Sequence, residues 1–421
     1  MYEPLAILAA FVFLYSIVAG GLERTPINGA IVYMAFGLAL GPFGFGLPDG
    51  LGFMDMVVDR ELLRSLAELT LGLVLFTDAA NANLSVLKDS VRIPNRLLLV
   101  GLPLTILLGF GVGMLVFDGL GLLEIAILAT MLAPTDAALG KAVVSNESVP
   151  SRVRESLNVE SGLNDGICVP VLLVFLTLAT IAGASTEGET TTHLVLKLLV
   201  EQIGIGVGVG IGLTAVGVFL IRQFFRRGWI TVSWRQLPVI ALALTCFALA
   251  QILGGSGFIA CFTGGLLFSW IAQEHKHIKH RLLLAAEGTS DTLALITWVA
   301  FGGAVVGQAM GDFTWQVVLY AVLSLTVVRM LPVFLVLTGC GISSDEKLFI
   351  GWFGPRGLAS IVFGVMVVEK HLPGGDIITS TVVCTILFSI IAHGLSANPA
   401  IAVLVARLKR AGIPPVVEND D

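Results

Sequence analysis

The chain has 421 residues, of which 56% are hydrophobic and 13% charged, with a mean hydropathy of +0.93 and a formal net charge of −6. A globular domain carries about a quarter charged residues, so this composition excludes a soluble protein. The shortage of charge and the acidic balance also exclude a disordered chain and a nucleic-acid-binding protein. A polytopic membrane protein remains, and the 48 glycines suit closely packed transmembrane helices.

Thirteen apolar stretches predict membrane-spanning helices, because about 20 apolar residues cross the hydrocarbon layer. In chain order they cover residues 5–21, 27–46, 62–80, 97–117, 121–144, 156–183, 196–221, 236–253, 256–272, 284–308, 314–338, 346–369 and 376–395. The alternating pattern of β-barrels is absent from the sequence. We therefore expect an all-α polytopic fold in one transporter domain, 1–421, with a short cytoplasmic tail over 396–421.

The basic residues predict how the spans are oriented. Loops that follow odd-numbered spans, together with the tail, carry eighteen Lys and Arg residues, whereas loops after even-numbered spans carry four: Arg60, Arg64, Lys197 and Lys370. Cytoplasmic loops are enriched in Lys and Arg. We therefore expect a cell-membrane protein with its N-terminus outside and its C-terminus in the cytoplasm. Arg329 lies inside a span, where it is expected to snorkel or to anchor a helix.

Two similar interruptions indicate an internal repeat. Ala133-Pro134-Thr135-Asp136 interrupts the fifth stretch and Gly354-Pro355-Arg356-Gly357 interrupts the twelfth, at an offset of about 220 residues. An offset of seven spans inverts the second copy. We expect inverted repeats over roughly 5–183 and 236–395, joined by a linking helix over 196–221. Their broken helices would cross at mid-membrane, as in many secondary transporters.

Polar side chains inside the spans predict an ion site. Ser161, Asn164 and Asp165 are spaced i, i+3 and i+4, so a helix places them on one face. A capping cluster at the membrane surface is the alternative. Pro134 breaks the fifth helix, and Asp136 beside it could bind a cation or satisfy the freed amides, or do both.

Arg356 lies at the second interruption and requires a partner inside the membrane. Glu160 is the candidate for an ion pair, and the alternative is an arginine that caps loosened carbonyl groups. Three further acidic residues, Glu68, Asp78 and Asp291, are weaker candidates for the ion site.

These motifs resemble those of sodium/proton antiporters of the NhaP type, bacterial and archaeal relatives of the animal sodium/hydrogen exchangers. The resemblance rests on Pro134-Thr135-Asp136-Ala137, on Leu157-Asn158-Val159-Glu160-Ser161-Gly162-Leu163-Asn164-Asp165-Gly166 and on Gly354-Pro355-Arg356-Gly357. It extends from the second span to Asn398-Pro399. It implies thirteen helices in an inverted-repeat fold, a core domain that moves against a dimerisation domain, and a homodimer.

The resemblance also implies roles for single residues. Asp165 would carry either a proton or a sodium ion, and Glu160 and Arg356 would form an ion bridge. Asn164, in place of a second aspartate, resembles the electroneutral branch of the family. The implied sodium ligands are Asp165, Asp136, Ser161, Asn164, the backbone of Thr135 and an acidic residue of the third span, for which Glu68 is our choice.

The sequence therefore predicts a secondary antiporter that exchanges Na⁺ or Li⁺ for H⁺, because one carboxylate that binds either ion couples the two fluxes. We expect monovalent cations, protons and the lipid bilayer as partners, and no cofactor and no nucleotide, since no phosphate-binding Gly-rich motif occurs. A K⁺/H⁺ antiporter on the same scaffold is the nearest alternative, followed by a cation channel. An intramembrane protease is disfavoured because His-Glu-x-x-His and Gly-x-Ser-x-Gly motifs are absent. An enzyme is not expected.

Overall fold

The computed structural model of the chain describes residues 2–22, 25, 29–41, 60–82, 92–136, 138–184, 190–273 and 276–410. Throughout these ranges the regular structure is helical, and no strand occurs among the described residues. In chain order the helices are α1 Tyr2–Leu22, α2 Gly29–Leu40, α3 Arg60–Asn81, α4 Arg92–Val116, α5 Leu122–Met131, α6 Lys141–Val144, α7 Ser151–Ala184, α8 Thr190–Arg226, α9 Pro238–Ile252, α10 Gly257–Ala272, α11 Lys276–Phe301, α12 Trp315–Leu325, α13 Val327–Val336, α14 Ser344–Trp352, α15 Leu358–Val368 and α16 Gly375–Arg410. Ala137, named in the first motif above, lies outside the described ranges.

The helices have the length and composition of membrane spans. Within the described residues, seven helical segments are long and apolar enough to cross a bilayer, and five shorter apolar helices accompany them. The predicted all-helical, multi-pass class is thus confirmed. The exact count of thirteen crossings stays a prediction.

Both predicted interruptions are present. Nine residues, 132–140, separate α5 from α6, and five residues, 353–357, separate α14 from α15. A third interruption, at Thr326, separates α12 from α13 and was not predicted, because no proline or glycine marks it in the sequence. Arg329 follows this interruption in the first turn of α13, and its side chain is buried.

The last helix is longer than predicted. The apolar stretch ends near residue 395, but α16 continues to Arg410. Ala397, Ile401 and Leu404 explain the extension, because their spacing keeps one apolar face buried in a cluster with Val153 and Ile350. The segment expected as the start of a tail is therefore the packed end of a helix.

The interrupted helices lie inside the bundle. Helix α7 packs against α5 and α3, and α15 packs against α16 and α3. Close approach depends on small residues: a Cβ added at Gly265 in α10 would overlap the Phe76 carbonyl of α3. The two breaks are thereby enclosed by α3, α7 and α16, which contribute the side chains described next.

Candidate functional site

The two interruptions contact each other directly. The Asp136 N–H donates to the Pro355 carbonyl over 2.8 Å, and Ser360 Oγ donates to the Met131 carbonyl over 2.8 Å. Breaking a helix inside a membrane leaves N–H and C=O groups that water does not reach. Here each break supplies partners for the other, and the predicted crossing of the broken helices is present.

Asp136 satisfies the amide groups at this crossing. Its Oδ1 accepts from the N–H groups of Ala138 (2.8 Å) and Leu139 (3.2 Å), and its Oδ2 accepts from the N–H of Leu358 (2.9 Å). Leu358 is the first residue of α15, so the carboxylate lies at the positive end of that half-helix. A Cβ at Gly357 would overlap Asp136 Oδ2, which explains the glycine.

Arg356 satisfies the carbonyl groups. Its Nη1 donates to the carbonyl oxygens of Ala133 (3.1 Å), Pro134 (3.1 Å) and Gly354 (3.2 Å). A guanidinium group favours the negative end of a half-helix for the same electrostatic reason that a carboxylate favours the positive end. The capping role considered for Arg356 in the sequence is the one the geometry gives it.

Helix α7 brings Ser161, Asn164 and Asp165 to the first break, as their spacing predicts. Asn164 Nδ2 donates to Thr135 Oγ1 over 2.7 Å, and Thr135 Oγ1 lies 2.9 Å from Ser161 Oγ. These three side chains are buried. Four predicted site residues, including Asp165 on the same face, therefore meet where the helix was expected to break.

Asp165 differs from the other buried carboxylates because it lacks a complete set of hydrogen bonds. The residue is 7% exposed, and its Oδ1 has no hydrogen-bond partner among the described residues. The neighbouring Asn164 Oδ1 is unpartnered in the same way. Asp136, Asp78 and Arg356 lie within electrostatic range of the Asp165 carboxylate. Two unsatisfied oxygens in a buried acidic setting fit a cation.

The acidic residue of α3 that lies against α7 is Asp78 and not Glu68. A Cβ at Gly162 would lie 3.7 Å from Asp78 Cβ, so Asp78 is packed against α7. Glu68 is ten residues earlier, about 15 Å along the helix, and pairs with Arg64 over 2.7 Å. Arg64 also contacts Glu369 over 3.0 Å. The choice of Glu68 is corrected, because the sequence shows which acids share a helix but not which end faces α7.

Asp291, the other acidic candidate, is exposed on α11 and within electrostatic range of Asp78. In the part of the chain that the structure describes, no three His, Cys, Asp or Glu side chains are arranged to hold a metal ion. Oxygen ligands for a cation would instead come from mixed acid, amide and hydroxyl groups.

The expected ion bridge between Glu160 and Arg356 is wrong, because Glu160 pairs with a different arginine. Glu160 pairs with Arg329, which donates from Nη1 to Oε1 over 2.5 Å and from Nη2 to Oε2 over 2.8 Å. Both side chains are 2% exposed. Arg329 therefore neither snorkels nor lies at the surface. The unpredicted interruption at Thr326 precedes this arginine by less than one turn, and Arg356 is already held by carbonyl groups.

Residues 7–403 match the family model described as sodium/hydrogen exchanger, transmembrane. The K(+)/H(+) antiporter NhaP2 of Shewanella sp. (strain ANA-3) is 24% identical over 412 residues, covering 97% of this chain and 67% of that protein. The Na(+)/H(+) antiporter of Schizosaccharomyces pombe is 24% identical over 335 residues, covering 72% of this chain and 69% of that protein.

A solved structure shares the fold. The sodium proton antiporter MjNhaP1 from Methanocaldococcus jannaschii at pH 8 superposes with a TM-score of 0.74 and 22% identity, covering 96% of this chain and 98% of that one. The two chains therefore share one fold. The match to the family model spans nearly the whole sequence and includes both breaks and α7. The chain belongs to the sodium/hydrogen exchanger family.

Proposed function

We propose that the protein exchanges Na⁺ or Li⁺ for H⁺ by competition of the cation and the proton for Asp165. The observation that carries the proposal is the unpartnered Asp165 Oδ1, on a buried carboxylate beside two crossing helix breaks. A buried carboxylate without partners gains from binding a proton or a cation. One group that binds either ion, and never both, couples their opposite fluxes without a nucleotide.

Comparison with two neighbouring acids, Glu160 and Asp136, supports Asp165 as the carrier. Glu160 is neutralised by two hydrogen bonds from Arg329. Asp136 accepts three backbone N–H groups, which stabilise its ionised form. Both carboxylates have structural partners that would be lost on protonation. Asp165 has the incomplete hydrogen bonding that a reversible exchange requires.

The cation ligands are proposed from the same group of residues. Because Asn164 donates its amide hydrogen to Thr135, its carbonyl oxygen is left to bind a cation beside Asp165. Ser161 and Thr135 present hydroxyl oxygens within 2.9 Å of each other. Oxygen ligands of this kind suit hard monovalent cations. Asp136 and Asp78, which keep partial exposure, supply further negative charge within electrostatic range of Asp165.

Alternating access follows from the architecture of the breaks. The unit that carries Asp136, Arg356 and Asp165 is held together by the contacts across the crossing, so it is proposed to move as a body against the rest of the bundle. The two repeats, 5–183 and 236–395, would supply one break each. We propose a homodimer in the cell membrane, with the N-terminus outside and the C-terminus in the cytoplasm.

Potassium is the second candidate cation. Relatives that cover 97% of this chain carry the name K(+)/H(+) antiporter, whereas another carries the name Na(+)/H(+) antiporter. The same oxygen ligands serve both ions, and the size of the occupied cavity decides between them. A cation channel is the weaker alternative, because a titratable carboxylate at a crossing of half-helices suits alternating access better than a continuous pore.

The test is proton flux in vesicles that contain the purified protein. An imposed acidic interior is reported by a quenched fluorescent amine, and NaCl, LiCl or KCl is added separately. Na⁺ and Li⁺ are expected to restore fluorescence in the wild-type protein and to have no effect with Asp165→Asn. Recovery with K⁺ alone would replace the sodium proposal by the potassium one. Recovery with no cation at all would point to a channel or a proton leak.

A further inference from the structure

At the break between α14 and α15, a side chain of α16 replaces one of the missing helical hydrogen bonds. In a continuous helix the Arg356 N–H would donate to the Trp352 carbonyl, four residues earlier. Instead the Arg356 N–H donates to Ser389 Oγ over 2.7 Å. The Trp352 carbonyl lies 2.8 Å from His393 Nε2 and also accepts from Gly354 N–H. Two side chains of α16 therefore satisfy the two backbone groups that the break separates.

Ser389 and His393 form a connected pair. They are one turn apart on α16, with His393 Nδ1 3.2 Å from Ser389 Oγ and 2.7 Å from the Ser389 carbonyl. Since the Trp352 carbonyl only accepts, Nε2 donates to it in the tautomer that carries a hydrogen on Nε2. Ser389 Oγ accepts from the Arg356 N–H, and the Ser389 carbonyl accepts from Nδ1 in the tautomer that carries a hydrogen there. The pair therefore connects the Arg356 N–H to the Trp352 carbonyl through side chains of α16.

The pair is enclosed, so its hydrogen bonds have no substitute from solvent. Arg356 and Ser389 are 0% exposed and His393 is 3% exposed. The imidazole and the Trp352 ring lie 5.2 Å apart between centroids, and Trp352 Nε1 donates to Ser396 Oγ over 2.8 Å. Removing Ser389 would leave the buried Arg356 N–H unsatisfied, and removing His393 would leave the Trp352 carbonyl with Gly354 N–H as its donor and no side chain of α16 to hold it.

We propose that Ser389 and His393 are positioning residues that fix the shape of the 353–357 break and thereby the cation site. Neither residue contacts the proposed ligands. They act through Arg356, whose guanidinium holds the first break, and through Leu358, whose N–H orients Asp136. A loosened break would misplace Asp136 beside Asp165 and weaken cation binding. The transport consequence rests on the proposed function, whereas the structural consequence does not.

Four variants test the pair. His393→Leu removes the donor to Trp352 with little change in volume, whereas His393→Gln keeps an N–H donor at a similar reach. Ser389→Ala removes the acceptor for Arg356 N–H. Thr385→Val is the matched control, because Thr385 is also buried on α16 and bonds only within that helix, to the Thr381 carbonyl over 2.7 Å.

The first measurement is deuterium uptake by peptides that span residues 352–358, with peptides from α8 as the internal reference. Uptake at 352–358 is expected to rise in His393→Leu and Ser389→Ala, and to stay near wild type in His393→Gln and Thr385→Val. The second measurement is the cation dependence of antiport. The apparent KM is expected to rise about tenfold in His393→Leu, with a smaller change in maximal rate, and to recover with His393→Gln.

Unchanged uptake at 352–358 in His393→Leu and Ser389→Ala would overturn the proposal. So would a uniform rise over all helices, because it would mean a general loss of stability. If His393→Leu does not fold, Ser389→Ala and His393→Gln decide by the same criteria. Failure of wild-type antiport would reject the proposed function, but the exchange result at the break would still judge the positioning role.

Discussion

Arg329 in α13 and Glu160 in α7 form a two-pronged ion pair, with oxygen–nitrogen distances of 2.5 and 2.8 Å and both side chains 2% exposed. Parallel guanidinium–carboxylate hydrogen bonds fix the relative orientation of the two groups. The pair therefore ties the helix that carries Asp165 to the half-helix after Thr326. It also neutralises a carboxylate that lies only five residues from the proposed ion carrier.

The first prediction concerns this pair. Glu160→Ala or Arg329→Ala leaves one buried charge without its partner, so each is expected to lower the free energy of unfolding by about 3–5 kcal/mol. The double variant is expected to lose less than the sum of the two single losses, because no lone charge remains. Thermal or denaturant unfolding in detergent, analysed as a double-mutant cycle, gives the coupling.

The exposed pair Arg407–Asp345 serves as the control for that cycle. It has a nitrogen–oxygen distance of 2.6 Å, but its side chains are 58% and 36% exposed. Solvent screens such a pair, and its coupling is expected to be about 1 kcal/mol or less. A Glu160–Arg329 coupling no larger than this would contradict a tightly bound buried pair.

A second prediction concerns the crossing of the breaks. In Gly357→Ala the new methyl group would overlap the Asp136 carboxylate, so the two breaks must separate. Antiport is expected to fall by at least about tenfold, as expected when site groups are misplaced by about 1 Å. Gly364→Ala in the same half-helix is the control, because its methyl group would meet only Met131 Cε at 3.9 Å. Equal activity of both variants, measured by vesicle proton flux, would argue against a functional crossing.

A third prediction separates the two acids of α3. Asp78→Asn removes negative charge near Asp165 and is expected to raise the apparent KM for the cation about tenfold, equivalent to about 1.4 kcal/mol of binding free energy. Glu68→Gln changes only the Arg64 contact and is expected to leave the KM within about twofold. The cation dependence of initial rates tests both. The reverse order of effects would restore Glu68 to the site.

Much of the site could be predicted from the sequence because its signals are local. Proline and glycine mark both breaks, and the i, i+3, i+4 spacing places Ser161, Asn164 and Asp165 on one face. Both features are predictable from the sequence because each depends on the backbone of a single helix and not on how helices pack together. The same holds for the apolar stretches, which coincide with helices in the described residues.

The partner of Glu160 could not be predicted because it depends on how distant helices pack. Two arginines, Arg329 and Arg356, lie within apolar stretches, and the sequence does not show which one faces α7. Arg356 is held by three carbonyl groups that exist only once both helices are broken and crossed. A second signal was available: two breaks expose carbonyl groups that one arginine can bind, which leaves the other arginine for Glu160.

A fourth prediction concerns charge movement. Asn164 does not titrate, Glu160 is paired with Arg329 and Asp136 accepts three backbone N–H groups, so we expect Asp165 alone to exchange its proton. One cation would move against one proton with no net charge. Sodium pulses on a solid-supported membrane are expected to give no sustained current while vesicles show proton flux. A current that scales with cation flux would require a second proton carrier, with Asp136 the first to examine.

The central claim is tested most directly by cation-driven proton flux in vesicles that contain Asp165→Asn. The amide keeps the shape of the side chain but carries neither the proton nor the negative charge that the cycle requires. The account predicts a variant that folds with the thermal stability of the wild type, because Asp165 Oδ1 has no hydrogen bond to lose, and that shows no Na⁺-, Li⁺- or K⁺-dependent flux. Cation-dependent proton flux at the wild-type rate in this folded variant would contradict it.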